Sequence, residues 1–252
     1  MNTLSRSLAL SLCAITLTLP IRAADEKLPS GEVLMEKALE AAGGKAAFAK
    51  LRTTVLSGTM GMPAMNLKGT LKNYRAEPDL SLTEIELPGI GKMTEGHDGQ
   101  VAWAFSAMQG PSVKHGEDKL QAVRGARFHT EDWKADYKAV RTLGLETFDG
   151  RECYKVELAP HQGEPFIQYL DRKTGLPAGM SMTAKTAMGD IKADTVISDY
   201  RKVDGTLVPH KITQKAAGQV VVITFDAITY NVPIPKETFA LPAEIQKLVQ
   251  KK

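Results

Sequence analysis

The stretch that decides the fold runs Ile191-Lys-Ala-Asp-Thr-Val-Ile-Ser-Asp-Tyr-Arg-Lys-Val203, Asp204-Gly205, Thr206-Leu-Val-Pro-His-Lys-Ile-Thr-Gln214. After Ala217-Gly218 comes the most apolar run beyond the N-terminal segment, Val220-Val-Val-Ile-Thr-Phe225. Asp-Gly between two runs rich in β-formers is a hairpin signal, because the tight turn needs positive φ and glycine supplies it without strain. The segment therefore predicts three successive antiparallel strands. A two-residue turn at Asp204-Gly205 sets Asp199 opposite His210, with Ile197 opposite Ile212 and Arg201 opposite Val208 on the same face.

The same period of two extends outward from this hairpin. Strands are predicted over Thr53 to Met60, Met65 to Lys72, Leu80 to Leu87, Met93 to Glu95 and Val101 to Phe105. Met65, Leu67 and Leu71 alternate with Asn66, Lys68, Thr70 and Lys72, while Val101, Trp103 and Phe105 share a face suited to a core or a cavity wall. A second Asp-Gly lies in His97-Asp-Gly-Gln100, and a third at Asp149-Gly150 precedes strands at Cys153 to Leu158, Pro165 to Leu170 and Ala178 to Thr186. One-sided alternation marks an antiparallel sheet with one solvated face.

Helical spacing is confined to a few places. Ser30 can cap a helix from Gly31 to Ala42 that stops at Gly43-Gly44, with a short helical piece at Lys45 to Leu51. Lys114 to Tyr137 breaks the strand rhythm and suits two short helices placed to plug or cover the sheet, and Phe239 to Val249 ends in an amphipathic turn or short helix. The count is about nine to eleven strands without βαβ alternation, which gives an α+β class built on one large antiparallel sheet. A sheet of that many strands is expected to curl strongly rather than lie flat.

The chain has 252 residues, 43% apolar and 24% charged, the composition of a globular domain. Met1 to Ala23 is set apart: Arg6, an apolar run from Leu8 to Leu19, Pro20, then Ile21-Arg22-Ala23. This reads as a cleaved secretory signal peptide over residues 1–23, leaving 24–252 as a single domain. Its apolar run is too short to span a bilayer. Leu12 before Cys13 argues against lipidation there. Removing Arg6 and Arg22 leaves thirty basic against twenty-nine acidic residues, so nucleic acid is not an expected partner. Cys153 is then the one cysteine left, and a structural thiol is its simplest role.

Chemistry-bearing motifs are sparse. The five histidines, His97, His115, His129, His161 and His210, show no ligand spacing, so neither a metal nor a cofactor is expected. No Gly-x-Ser-x-Gly, P-loop or dinucleotide fingerprint occurs. Asp199 and His210 form a polar pair expected near a rim, where a cross-strand ion pair contributes little. Ten methionines, several of them in the two meanders, suit either an adaptable apolar binding surface or an ordinary core.

Three segments carry a family resemblance. Tyr169-Leu-Asp-Arg-Lys-Thr-Gly-Leu-Pro177, Asp199-Tyr-Arg-Lys-Val-Asp-Gly-Thr-Leu-Val-Pro209 and Asn231-Val-Pro-Ile-Pro-Lys-Glu-Thr-Phe-Ala-Leu-Pro242 resemble turns of the LolA-like superfamily of outer-membrane lipoprotein-sorting proteins. Gly43-Gly44, Leu51-Arg52 and His97-Asp-Gly-Gln-Val-Ala-Trp103 fit as well. The resemblance implies a half-open, curled antiparallel barrel with helices over its concave apolar side, in proteins that carry lipoprotein acyl chains or sense envelope stress.

Taken together, these readings predict a non-catalytic periplasmic protein that binds or carries a lipid, an acyl chain or another hydrophobic small molecule, meeting envelope lipoproteins or membrane proteins transiently. The expected lining is Met65, Leu67, Leu71, Val101, Trp103, Phe105, Tyr154, Val156, Ile197 and Ile212. An envelope sensor of the same fold is the alternative. A hydrolase using Asp199, His210 or Cys153 is the third.

Overall fold

The computed structural model describes residues 27–186 and 189–250, so the expected signal peptide lies outside the described residues. Helix α1 (Gly31–Ala42) begins where Ser30 Oγ accepts the Val33 N–H at 3.4 Å and ends at Gly43, whose φ of 130° lets the chain turn away. A short α2 (Lys45–Phe48) follows. The first meander then runs through β1 (Thr53–Met62), β2 (Leu67–Ala76), β3 (Leu80–Leu87), β4 (Gly91–His97), β5 (Ala102–Ser106) and β6 (Gly110–Val113). Helix α3 (Gly116–Ala126) and a 3-10 turn, Thr130–Ala135, lead to the second meander. That comprises β7 (Tyr137–Phe148), β8 (Arg151–Pro160), β9 (Phe166–Asp171), β10 (Pro177–Thr186), β11 (Gly189–Val203), β12 (Thr206–Ala216) and β13 (Gln219–Tyr230), followed by α4 (Ala243–Gln250).

All these strands join one antiparallel sheet of 13, in the order β6-β5-β4-β3-β2-β1-β13-β12-β11-β10-β9-β8-β7. The sheet is open, with β6 and β7 as its edges. The expectation of about nine to eleven strands falls short because both edges were missed. In β7, irregularities between Tyr137 and Ala139 and between Thr142 and Gly144 break the period of two. In β6, Pro111 gives a weak strand signal, and an edge is where a sheet tolerates it.

The hairpins form as their turn residues require. Asp204 and Gly205 have φ of 44° and 88°, and Asp149 and Gly150 have 48° and 77°, the paired positive values of a tight right-twisting turn. The β11–β12 register pairs Ile197 with Ile212 and Arg201 with Val208.

Two apolar clusters flank the second meander. On one face, Leu34 and Ala38 of α1 pack against Val156, Leu158, Phe166 and Leu170. On the other, Phe148, Cys153, Tyr169, Ala178 and Val196 come together, with Phe148 stacked on Tyr169 at 4.0 Å between ring centroids. Cys153 is wholly buried there as a free thiol.

Leu158 has no exposed surface, whereas Leu145 on the edge strand is 39% exposed. Leu158→Ala is therefore expected to cost about 2–5 kcal/mol of unfolding free energy, and Leu145→Ala less than about 1 kcal/mol. Urea denaturation of both variants checks the contrast.

Candidate functional site

Register assigns each side chain to a face. On the face that α1 packs against, one row across the sheet reads Ser106, Met93, Ile85, Leu71, Gly58, Phe225. One step along the strands, the row reads Ala104, Glu95, Thr83, Asn73, Leu56, Ile228. A further step gives Ala102, His97, Ser81, Arg75, Thr54, Tyr230. In the opposite direction Met60, Ile223, Ile212 and Ile197 form an aliphatic row. This inner face thus grades from polar and charged rows to an apolar one.

The expected lining residues divide between several settings. Leu67, Leu71, Tyr154, Val156, Ile197 and Ile212 share the inner face, since their paired neighbours follow one alternation across the sheet. Within that set Val156 is fully buried beneath α1, Tyr154 packs beside it, and Leu71 is 4% exposed. Met65 lies in the 3-10 turn Pro63–Met65 between β1 and β2 and is 56% exposed. Trp103 and Phe105 alternate with Ala102 and Ala104 and so lie on the opposite face from Leu71, and of the two Phe105 still borders a recess of about 360 Å³ beside Ile85 and Met93. Val101 precedes β5 and borders a recess of about 330 Å³ with Val113, Leu248 and Val249.

The polar pair is rearranged. Asp199 has φ of 55°, and its carboxylate accepts from Arg201 Nε at 3.0 Å and Nη2 at 2.7 Å. That contact, with Arg201 first, holds the Asp199 carboxyl below its usual range. His210 is buried and its Nδ1 lies 3.1 Å from the Val208 carbonyl oxygen. The backbone kink at Asp199 redirects the carboxylate along its own strand. A flat register argument does not contain that kink.

One concavity lies beneath α3. A cavity of about 560 Å³ is bounded by Asn73, Ser81, Thr83, Glu95 and Lys114 on one side, Asp118, Gln121, Ala122 and Gly125 of α3 above, and Gln214 from β12. The α3 positions recur at helical spacing, so a single small and polar helix face closes the space. β12 and β4 are five places apart in the sheet order, about 24 Å if the sheet were flat. Their sharing one cavity is what a curled sheet produces. A second recess of about 360 Å³ shares Thr83 and Glu95 as walls and adds Ile85, Ile90, Met93 and Met108.

An ionic cluster fixes the segment that follows α3. His129 lies between Glu77, 2.5 Å from Nε2, and Glu131, 2.8 Å from Nδ1. The Glu131 hydrogen bond, reinforced by Glu77 against partial burial, raises the His129 pKa above the usual imidazole value. Glu77 also accepts from Arg52 at 2.9 Å, and Lys45 pairs with Asp132 at 2.5 Å. Deeper in, Arg75 donates to the Arg127 carbonyl and lies 5.9 Å from the Phe128 ring centroid, with its Nε buried and unpartnered. Asp79 accepts the Phe128 N–H at 2.7 Å. These groups bind the α3–β7 connection to the β2–β3 turn. Sequence reasoning missed them because they come from turns and carry no periodic signal.

Little here favours covalent chemistry. Burial pushes the Cys153 thiol above its usual pKa, which disfavours the thiolate nucleophile. Among the described residues, no group of three or more His, Cys, Asp or Glu side chains converges to hold a metal ion.

A protein-family model described as "-like: Uncharacterized protein" matches residues 95–243, more than half of the chain. The chain belongs to that family. A search of curated proteins returns no match. Among solved structures, a DUF1329 family protein from Desulfovibrio piger aligns with a TM-score of 0.59 at 16% identity, covering 83% of this chain and 97% of the other. A LolA superfamily protein from Nitrosomonas europaea gives 0.57 at 16%, covering 85% and 99%. A Vibrio parahaemolyticus domain described as outer-membrane lipoprotein-sorting gives 0.53 at 16%, covering 86% and 99%. The fold is LolA-like, as the turn motifs imply.

The His129 clamp carries a pH dependence of defined sign. A folded pKa raised above the unfolded value of about 6.5 adds stability that is full below about pH 6.5 and lost as pH rises through the folded value. The stability advantage of the wild type over His129→Gln, read from urea midpoints, is expected to be largest near pH 6 and to shrink towards about pH 9. A pH-independent difference would remove the clamp from this account.

Proposed function

We propose that this chain is a non-catalytic binding or carrier protein for a lipid or similar hydrophobic ligand, working in the periplasm as a single domain over 24–252. The observation that carries the proposal is the apolar recess of Ile85, Ile90, Met93 and Met108 opening beside the α3-covered cavity on the inner face. A concave site with apolar walls and few convergent polar groups is the physical requirement for holding such a ligand away from water. Flexible methionines at its rim suit chains of variable shape. The signal-like residues 1–23 support export, and the LolA-like fold agrees with a carrier in which helices cover the concave side.

The ligand-holding part in this reading is the inner face of β3 to β6, and Val156 and Tyr154 serve the α1 core. An envelope sensor is the second reading. It is favoured by edge strand β7, whose Leu143 and Leu145 are 51% and 39% exposed, because an open edge can add a partner strand. Crosslinking in cells distinguishes the two, since a sensor retains one stable protein partner.

The direct test is organic extraction of the purified protein with mass spectrometry, joined to titration with the neutral apolar dye phenylnaphthylamine. Co-purified lipid and saturable dye binding are expected. Met93→Asp should weaken dye binding by about tenfold or more, because a carboxylate in an apolar recess must be desolvated or protonated. Leu145→Asp should leave it unchanged. Absence of both lipid and dye binding would overturn the reading.

A further inference from the structure

Resting on that reading, the structure assigns the ligand a class: a single-chain amphiphile whose head group is uncharged and rich in hydrogen-bonding groups, such as a glycosyl head. The two recesses meet at Thr83 and Glu95, so one molecule can occupy both. Each volume, about 560 Å³ and about 360 Å³, lies within the usual range of small-molecule sites, about 300–1,000 Å³. The apolar recess takes the tail against Ile85, Ile90 and Met93. The polar cavity is too rich in amides and hydroxyls to receive a second chain without leaving those groups unpaired.

The charge balance in the polar cavity selects the head. Its charged lining residues are Glu95, Lys114 and Asp118. Lys114 is paired with Glu95 at 2.7 Å, so its ammonium is already neutralised and Asp118 leaves the wall slightly acidic. A phosphate or carboxylate head would enter a partly desolvated space without a free cation. Asn73 Nδ2 already donates to Thr83 Oγ1 at 2.9 Å, and the capacity left on that pair, with Gln121 and Gln214, both donates and accepts, which matches hydroxyls and amides. Gln214 and Gln121 reach the cavity from β12 and α3, giving the head hydrogen-bonding groups on opposite walls. Sites built to hydrogen-bond a neutral group discriminate strongly against analogues that cannot reciprocate.

The experiment is displacement of bound phenylnaphthylamine from the full-length mature protein by decyl glucoside or by decanoate, both below their micelle thresholds. Decyl glucoside is expected to displace the dye at a concentration about tenfold lower than decanoate. Gln121→Leu and Gln214→Leu should each reduce that preference, read for each variant as the ratio of the two displacing concentrations. Equal displacement by both amphiphiles would overturn the head-group assignment and leave the binding function standing. Stronger displacement by decanoate would also overturn it. A full preference retained in both glutamine variants would overturn the placement of the head beneath α3. Absence of dye binding to the wild type would overturn the underlying function as well.

Discussion

Backbone hydrogen bonding between β1 and β13 joins Thr54 to Tyr230 and Gly61 to Val222, and all the other strands extend from that ladder. It brings the two ends of the folded chain together at the centre of the sheet and sends the two meanders outward to opposite edges. The register shifts between Ser57 and Gly58, where one extra residue of β13, Asp226, must be accommodated. A Cβ at Gly58 would run into the Thr224 carbonyl oxygen, so glycine is required by close approach. Contacts this distant in sequence must be made against a large loop-closure entropy, so the central ladder is also the costly step in folding.

From that ladder follows the division of labour on the inner face. The second meander presents an apolar patch of Val156, Leu158, Phe166 and Leu170, and α1 covers it with Leu34 and Ala38 in close packing. The first meander presents Asn73, Ser81, Thr83 and Glu95 in place of leucines, and α3 lies over them with its own polar and small residues. A helix in that position encloses space because nothing apolar interdigitates beneath it. The ionic ties of His129, Glu77, Glu131 and Arg52 hold the following segment, in which Trp133 is also buried. One half of the sheet thus packs a helix closely, and the other encloses a polar cavity.

Alternation placed Trp103 on a face with Phe105 but did not relate that face to the one bearing Leu71 three strands away. The assignment needs every intervening register, and only the assembled sheet contains them. Asp199 and His210 share the expected ladder, yet a positive φ at one residue turns the carboxylate to Arg201. The edge strand β7 was illegible because its bulges cancel the period that identifies a strand.

By itself the sequence determined the elements whose signals are local: the Asp-Gly hairpins, the Ser30-capped helix, the antiparallel class and the LolA-like turns. Each depends on interactions within a few residues, where backbone sterics and capping hydrogen bonds act without reference to the rest of the chain. Only the tertiary structure decided which apolar residues became core and which line a recess, and that the covered cavity is polar. Those outcomes depend on sheet curl and on pairing between segments far apart in sequence, and short-range periodicity carries neither.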